Sequence, residues 1–332
     1  MDPLSQGVLG ASLTQSLSRN KNIVIILIIG FLSGMLPDID ILFRSKEDPL
    51  LFLEYHRQFT HSLIFIPIGG LIFSIVFYGI FNKLTHLTFR QIWIYATIGY
   101  GTHGLLDACT SYGTQLFWPF SNIRISWNNV SIIDPLFTLP ILVLIIISAV
   151  KDKASYAKLA FMWAIFYLLF GLLQNHRATK MLEQVISNRG HNAQQISVKP
   201  SFGNLILWKT IYRSDKTFYV DAVNIGIKKQ IFLGEKIDVY DYKNLNNFEE
   251  LSNIQKKDIE RFLWFSQGYV AINPKNANQI LDIRYSNLPN QVGGLWGIEV
   301  KKNTTKHVRF IKNRDATIEQ LNDFYKLVFN FN

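Results

Sequence analysis

The sequence contains a single cysteine, Cys109, among its 332 residues. A disulfide bond within the chain is therefore excluded, and cysteine usage leaves the redox compartment open. The start of the chain also lacks the marks of a cleavable signal peptide. Asp2 stands where a basic segment is expected, and no small-residue cleavage motif follows the first apolar run. We therefore expect no cleavable signal.

Charge is scarce in the first half of the chain. There are 11 Lys and Arg and 9 Asp and Glu up to Gln174, against 23 and 15 after it. This change predicts a membrane-embedded helical domain at residues 1–180 and a soluble domain at residues 181–332. The net charge of +10 comes from Lys and Arg scattered among acids. That pattern favours contact with membrane lipid, and no nucleic-acid partner is expected.

Five apolar runs predict membrane spans, at residues 23–36, 63–81, 92–106, 130–150 and 159–173. In lipid each span must satisfy its own backbone, which predicts an α-helical bundle. The first run covers only about 21 Å of a hydrocarbon core of roughly 30 Å, and Pro37 is expected to end it. Residues 4–17 are too polar to span, and we expect a short helix that lies in the interface or dips into the protein.

The distribution of Lys and Arg between the connections predicts the orientation. One side of a five-span protein would hold Arg19, Lys21, Lys83, Arg90, Lys151, Lys153 and Lys158, and the other only Arg44, Lys46, Arg57 and Arg124. The positive-inside rule places the first set in the cytoplasm. We therefore expect a multi-pass inner-membrane protein with its C-terminal half on the extracytoplasmic side.

The polar half has the pattern of antiparallel strands. Short alternating runs separated by turn residues lie at 205–208, 217–220, 230–233, 269–272, 281–285 and 296–300. Two helices are predicted, at 248–265 and 318–329. The predicted fold is an α-helical integral membrane bundle followed by a soluble, mainly antiparallel β (α+β) domain.

Carboxylates and imidazoles adjoin the apolar runs in four groups: Asp38 with Asp40, His56 with His61, His103 with Asp107, and Asp134 alone. Residues four apart share a helix face, so His103 and Asp107 can reach one cation. His56 and His61 would diverge on a continuous helix, but a loop-to-helix transition near Thr60 would let both point inward.

A carboxylate at a membrane edge is costly unless it is solvated or paired, which favours a metal site over chance placement. The mixture of ligands suits Zn²⁺, which we favour, or Mn²⁺ or Fe²⁺. Six ligand candidates predict either two ions or some residues that orient the ligands. Asp134 before Pro135 is equally well explained as a helix N-cap. The remaining histidines, His86, His176, His191 and His307, are expected at the surface.

At these residues the sequence resembles the YdjM-like membrane-bound proteins, a family usually described as metal-dependent hydrolases. The matching motifs are MDPLSQGVLG at 1–10, LPDID at 36–40, HRQFTHS at 56–62, HGLLD at 103–107, YGTQLFWPF at 112–120, IDPL at 133–136, NLILW at 204–208 and LWGI at 295–298. Many relatives have Thr-His where this chain has Ser5-Gln6. A weaker similarity, limited to His103 and Asp107, is to helical zinc phospholipases C and related nucleases, which implies phosphoester chemistry.

Two hypotheses follow. In the first, a membrane hydrolase binds one or two divalent ions and acts on a phosphoester or lipid-linked substrate. Its metal ligands are Asp38, Asp40, His56, His61, His103 and Asp107, and its catalytic residues are Asp134, Arg57 and Asp40. Asp134 would be a further ligand or general base, and Arg57 would hold an anionic substrate with its planar fork. In the second, the metal site is structural, sensing or transporting, and the soluble half binds a partner.

Overall fold

The structure, a computed structural model, describes residues 1–18, 23–241, 245, 248–313 and 315–329. The chain forms two compact units. The helical unit comprises Met1–Leu42, Tyr55–Leu173 and Phe202–Leu205, and the sheet unit comprises Phe43–Glu54, Gln174–Ser201 and Ile206–Asn332. The sheet unit therefore includes a short segment that lies between the first two apolar runs of the sequence.

Helices dominate the first half of the described chain. In order they are α1 (Pro3–Ser16), α2 (Ile23–Met35), α3 (Leu51–Tyr55), α4 (Ile66–Thr85), α5 (Phe89–Cys109), α6 (Pro135–Lys151) and α7 (Ala154–Asn188). Three 3₁₀ turns connect them, at Leu36–Leu42, Phe59–His61 and Leu63–Phe65.

Close packing of small residues holds α1 inside the helical unit. Helix α1 packs against α2, α5 and α6. A Cβ atom added at Gly10 would collide with the backbone oxygen of Gly30, so these two backbones approach more closely than larger side chains allow. Even the polar side chains of Gln6 and Gln15 are fully buried. The expectation that this segment dips into the protein is confirmed.

Among the described residues, three helical segments are long and apolar enough to cross a membrane: Ile23–Leu42, Leu63–Lys83 and Ala154–Asn188. Helix α6 is apolar but shorter. The predicted count of five spans is not confirmed. The predicted run at 92–106 lies in α5, where Tyr, Thr, Gly and His dilute the apolar residues and one face is buried by other helices. Two of the orientation residues, Arg19 and Lys21, lie outside the described residues.

The first span differs from the sequence prediction. The α-helical part ends at Met35, next to Pro37 as expected, but the chain then continues as the 3₁₀ turn Leu36–Leu42. The combined segment covers about 33 Å, because a 3₁₀ helix rises about 2.0 Å per residue. The prediction that Pro37 leaves a short span was wrong, and Asp38 and Asp40 lie within the last turns of this segment.

The described part of the sheet unit contains two antiparallel sheets. The first has the order β1 (Gln195–Pro200), β2 (Leu207–Ser214), β3 (Thr217–Asn224) and β4 (Gln230–Phe232), with β5 (Lys236–Asp238) also paired to β3. The second has the order β6 (Val270–Asn273), β7 (Asn276–Asp282), β8 (Trp296–Glu299) and β9 (Arg309–Lys312). Helix α8 spans Asn253–Phe265 and α9 spans Ile318–Phe329. The predicted antiparallel β architecture is confirmed.

The sheet unit has its own hydrophobic core. Ile211 and Phe218 from the first sheet pack with Ala271 from the second and with Ile283 and Val292. Beside this core, Lys209 of β2 is buried and donates to Ser286 Oγ and Gln291 O, both at 2.7 Å. The sheet unit therefore has its own apolar core and contains a buried amine.

We predict that Lys209 makes the stability of the chain depend on pH. Burial lowers the pKa of Lys209 to about 7, and the Glu235 and Asp282 carboxylates raise it only in part. The unfolded chain therefore binds more protons between about pH 7 and pH 10, so stability rises with pH across that window. Between pH 7 and pH 9, this lysine should add about 2 kcal/mol to the free energy of unfolding.

The measurement is denaturant unfolding of the detergent-solubilised chain and of Lys209→Met at a series of pH values. The variant should lose the rise in stability between pH 7 and pH 9. Lys275→Met removes an exposed lysine of the same unit and should follow the wild type. Parallel pH curves for wild type and Lys209→Met would contradict the prediction.

Candidate metal centre

Helix α5 contributes His103 and Asp107 to one buried face. Both side chains are fully buried, and His103 Nε2 lies 3.8 Å from Asp107 Oδ2. The predicted shared helix face is therefore confirmed. Gly104 lies between them in sequence, and a Cβ atom there would collide with the backbone oxygen of His61. The absence of a side chain at Gly104 lets the turn that carries His61 contact α5.

His61 and Asp38 complete a cluster with these two residues. His61 Nε2 lies 3.0 Å from His103 Nε2, 3.3 Å from Asp107 Oδ2 and 3.5 Å from Asp38 Oδ1. Asp38 Oδ1 also lies 3.4 Å from His103 Nε2. The four ligand atoms all lie within 4.8 Å of one another, so this group can hold a metal ion. Only the Asp38 side chain is partly exposed, at 24%.

Neighbouring groups orient both imidazoles. His103 Nδ1 lies 2.6 Å from the carbonyl oxygen of Gly34, which can only accept a hydrogen bond. His61 Nδ1 lies 3.2 Å from Asp40 Oδ2 and 3.0 Å from Thr60 Oγ1. If each Nδ1 donates in this way, the lone pair of each neutral Nε2 faces the other and the two carboxylates. This is the orientation that histidine ligands of metals adopt.

Asp40 and His56 adjoin the cluster as a second group with His61. Asp40 Oδ1 lies 2.8 Å from His56 Nδ1, and its Oδ2 accepts from Arg57 N at 3.1 Å and Thr60 Oγ1 at 2.8 Å. Arg57 has a left-handed φ of 66°, and the 3₁₀ turn Phe59–His61 follows it. This break in the backbone lets both imidazoles contact Asp40, although the His56 side chain stays 30% exposed. A metal-binding role for Asp40 and His56 stays a prediction.

Asp107 has polar neighbours on both oxygens. Oδ1 accepts from Gln6 Nε2 at 2.9 Å and contacts the amino nitrogen of Met1. Arg57 Nε lies 3.0 Å from Oδ2, and its Nη1 donates to Thr110 Oγ1 at 3.0 Å. Arg57 is buried and neutralises Asp107. Its predicted role in holding an anionic substrate stays a prediction. Sequence reasoning left the role of Gln6 open.

The donor set fits a divalent cation. Asp107 Oδ2 is buried and faces both imidazoles, and Arg57 Nε lies 3.0 Å away as its ion-pair partner. The ion-pair contacts of Asp38 and Asp40 within the described chain are to imidazoles. Burial lowers the pKa of His61, but Asp107, Asp38 and Asp40 raise it to about 10. The site therefore favours positive charge, and a metal would replace a proton there.

Asp134 lies apart from both groups. It is the N-cap of α6 with Pro135 at the first position, accepting from Phe137 N at 3.3 Å and from Tyr167 Oη at 2.9 Å. The N-cap alternative is therefore confirmed. A ligand or general-base role for Asp134 stays a prediction.

A third carboxylate–histidine group lies in the sheet unit, made of Asp48, Asp258 and His307. Arg261 donates to both oxygens of Asp48 at 3.0 and 2.9 Å and to Asp258 Oδ1 at 2.9 Å. A guanidinium thus already supplies the positive charge there. His307, which was expected at the surface, is 31% exposed and also contacts the buried Asp258 Oδ2 at 2.9 Å.

These features define a membrane protein whose apolar helices hold a buried cluster of carboxylates and imidazoles. The YdjM inner membrane protein family matches residues 1–178, and the chain belongs to this family. Membership and the apolar helices together indicate a membrane location.

Two curated relatives are similar to this chain. The uncharacterized protein YfhP of Bacillus subtilis (strain 168) is 23% identical over 185 residues, which are 55% of this chain and 54% of the relative. The inner membrane protein YbcI of Escherichia coli (strain K12) is 32% identical over 101 residues, which are 30% of this chain and 56% of the relative. The chain spans about half the length of these relatives. No solved structure matches it.

We predict that His103→Ala abolishes metal binding by the purified chain. Ligand loss should lower affinity by more than about 100-fold, because changes that only disturb ligand orientation already cost about 10–100-fold. Elemental analysis after dialysis would measure the metal content per chain. His176→Ala removes an exposed histidine of α7 and should bind metal as the wild type does.

Asp40→Asn should weaken metal binding less than His103→Ala in the same assay. It keeps the shape of a side chain that orients His56 and His61 but removes its charge, so affinity should fall while saturating metal restores full stoichiometry. Equal metal content in wild type and His103→Ala would show that the cluster is not a metal site.

Proposed function

We propose that this chain is a membrane-bound metal-dependent hydrolase that cleaves a phosphoester or lipid-linked substrate at the membrane boundary. The observation that carries the proposal is the convergence of Asp38, His61, His103 and Asp107, whose ligand atoms all lie within 4.8 Å of one another. The family resemblance supports hydrolysis as the reaction. Zn²⁺ is the favoured ion, with Mn²⁺ or Fe²⁺ as alternatives and one or two ions per chain.

The residues divide into ligands and groups that support them. His61 and His103 would present their Nε2 atoms, and Asp38 and Asp107 one oxygen each. A bound divalent ion would supply Lewis acidity, lowering the pKa of water and polarising the scissile bond. Asp40 would hold His61 and His56 in position through its hydrogen bonds. Arg57 would limit the negative charge at Asp107.

A pocket beside the cluster supports a substrate with a hydrocarbon part. Its volume is about 580 Å³, and it is lined by Met1, Pro3, Leu32, Met35, Leu36, Asp38, Ile39, Ile41 and His56. Asp38 therefore faces both the ligand cluster and a largely apolar pocket at the end of a candidate span. An amphiphile could place its polar group at Asp38 and bury its chain against Leu32 and Ile41.

The burial of the cluster favours an alternative in which the metal site is not catalytic. Asp107, His61 and His103 are almost completely buried, and catalysis needs an open position that substrate can reach. A closed site of this kind would suit a structural, sensing or transport role, with a partner bound by the soluble half. The two proposals differ in whether the exposed edge at Asp38 admits a substrate.

We predict metal-dependent turnover that distinguishes these alternatives. A screen of phosphodiester and lipid substrates with the reconstituted chain should find hydrolysis that a chelator stops and added metal restores. His103→Ala should lower the rate by at least about a hundredfold, because the groups that stabilise developing charge are worth that much. Leu32→Trp, which fills the pocket, should raise KM about tenfold for long-chain substrates only.

Ile75→Trp provides the control, because Ile75 is an exposed apolar residue of α4 that does not line the pocket. This variant should leave the KM unchanged for long-chain and for short-chain substrates. Stoichiometric metal without turnover of any substrate would support the non-catalytic alternative.

We also propose that the metal site and residues 181–332 lie on the extracytoplasmic side, as the distribution of Lys and Arg favours. A cysteine placed at exposed Lys275 in a Cys109→Ala background should react with a membrane-impermeant maleimide in spheroplasts. Labelling of a lysed sample controls for the intrinsic reactivity of this cysteine with the maleimide. Labelling only after lysis would put the sheet unit in the cytoplasm.

A further inference from the structure

A basic pocket lies where helix α7 continues beyond its apolar part. The pocket has a volume of about 380 Å³, and its lining includes Arg177, Lys180 and Lys229 together with Gln184 and Gln230. Arg177, Lys180 and Gln184 share one face of α7, since they are spaced at i, i+3 and i+7. Lys229 comes from the connection between β3 and β4. All of these residues belong to the sheet unit.

The position of the pocket along α7 matches the headgroup layer of a bilayer. The exposed apolar side chains of this helix end at Leu172 and Leu173. Arg177 and Lys180 lie roughly 6 Å and 10 Å further along the axis, at 1.5 Å per residue. The polar layer on each side of the hydrocarbon core is about 5–8 Å thick, and long basic side chains can reach back into it.

The charge of the pocket selects an anion. Lys180 and Lys229 form no ion pair with any residue the structure describes, and Arg177 donates to Gln174 Oε1 at 2.6 Å. The carboxamides of Gln184 and Gln230 add neutral donors, which suit phosphate oxygens and glycerol hydroxyls. The sheet half of the sequence carries an excess of eight basic residues after Gln174.

The connection between β3 and β4 has the character of a membrane-surface loop. Ile227 is fully exposed, and Lys228 and Lys229 follow it directly. An exposed isoleucine is unfavourable in water but favourable at the boundary between acyl chains and headgroups, and adjacent lysines add attraction to anionic lipid. This second feature adjoins the pocket through Lys229.

We propose that this pocket, formed by Arg177, Lys180 and Lys229, binds the headgroup of an anionic phospholipid from the leaflet that α7 leaves. The bound lipid anchors the sheet unit to the membrane surface through the β3–β4 connection. The site is separate from the metal centre and does not depend on the proposed hydrolase activity.

The test is native mass spectrometry of the full chain in neutral detergent, supplied with phosphatidylglycerol or with phosphatidylcholine. Wild type should retain phosphatidylglycerol about tenfold or more over phosphatidylcholine. Lys180→Glu/Lys229→Glu should lose this preference, since each lysine near the surface contributes about fivefold. Lys275→Glu/Lys301→Glu makes the same charge change at exposed positions away from the pocket and should retain it.

The neutral variant Lys180→Gln/Lys229→Gln is a second test in case the charge-reversed Lys180→Glu/Lys229→Glu protein misfolds. It should lose most of the preference for phosphatidylglycerol. A wild type that retains both lipids equally would overturn the proposal. The same holds if both pocket variants keep the wild-type preference. Millimolar glycerol phosphate that displaces all bound phosphatidylglycerol would show a site for free phosphate esters instead.

Discussion

The placement of carboxylates among apolar helices governs the helical unit. Asp40 and Asp107 are completely buried, and a buried carboxylate is costly without compensation. Compensation comes from several parts of the chain: Arg57 for Asp107, imidazoles and Thr60 for Asp40, and Gln6 from α1. The cluster therefore ties together segments that are far apart in sequence, and the candidate metal site is also a structural centre.

Close helix packing makes this convergence possible. Apolar burial gives little reason for helices to associate within lipid, so contact depends on shape and on polar groups. Gly10 and Gly30 let α1 approach α2, and Gly104 lets the His61 turn approach α5. Each of these approaches also delivers a polar group to Asp107 or His103. Close backbone packing and polar contacts thus occur at the same positions, which explains why the polar helix α1 lies inside the helical unit.

Sequence patterns correctly predicted the features that depend on residues close together in the chain. The i, i+4 spacing of His103 and Asp107, the N-cap alternative for Asp134 and the helix at 318–329 all depend on neighbours in sequence. No comparable local pattern indicates the 3₁₀ continuation after Pro37, strands β1 and β9, or the assignment of Phe43–Glu54 to the sheet unit. These features depend on contacts with distant residues. Candidate ligands were found because they are rare charges in an apolar half, whereas Thr60 and the Gly34 carbonyl carry no such signal.

Accessibility decides what the cluster can do. His61, His103 and Asp107 are enclosed by the described residues, so the proposed substrate would approach along the edge where Asp38 is partly exposed. That edge borders a largely apolar pocket, and a freely soluble polar substrate would gain little there. An amphiphile delivered from the bilayer would bury its chain while its polar group reached Asp38. The enclosure of the ligands and the apolar pocket therefore both favour the proposed lipid-like substrate over a freely soluble one.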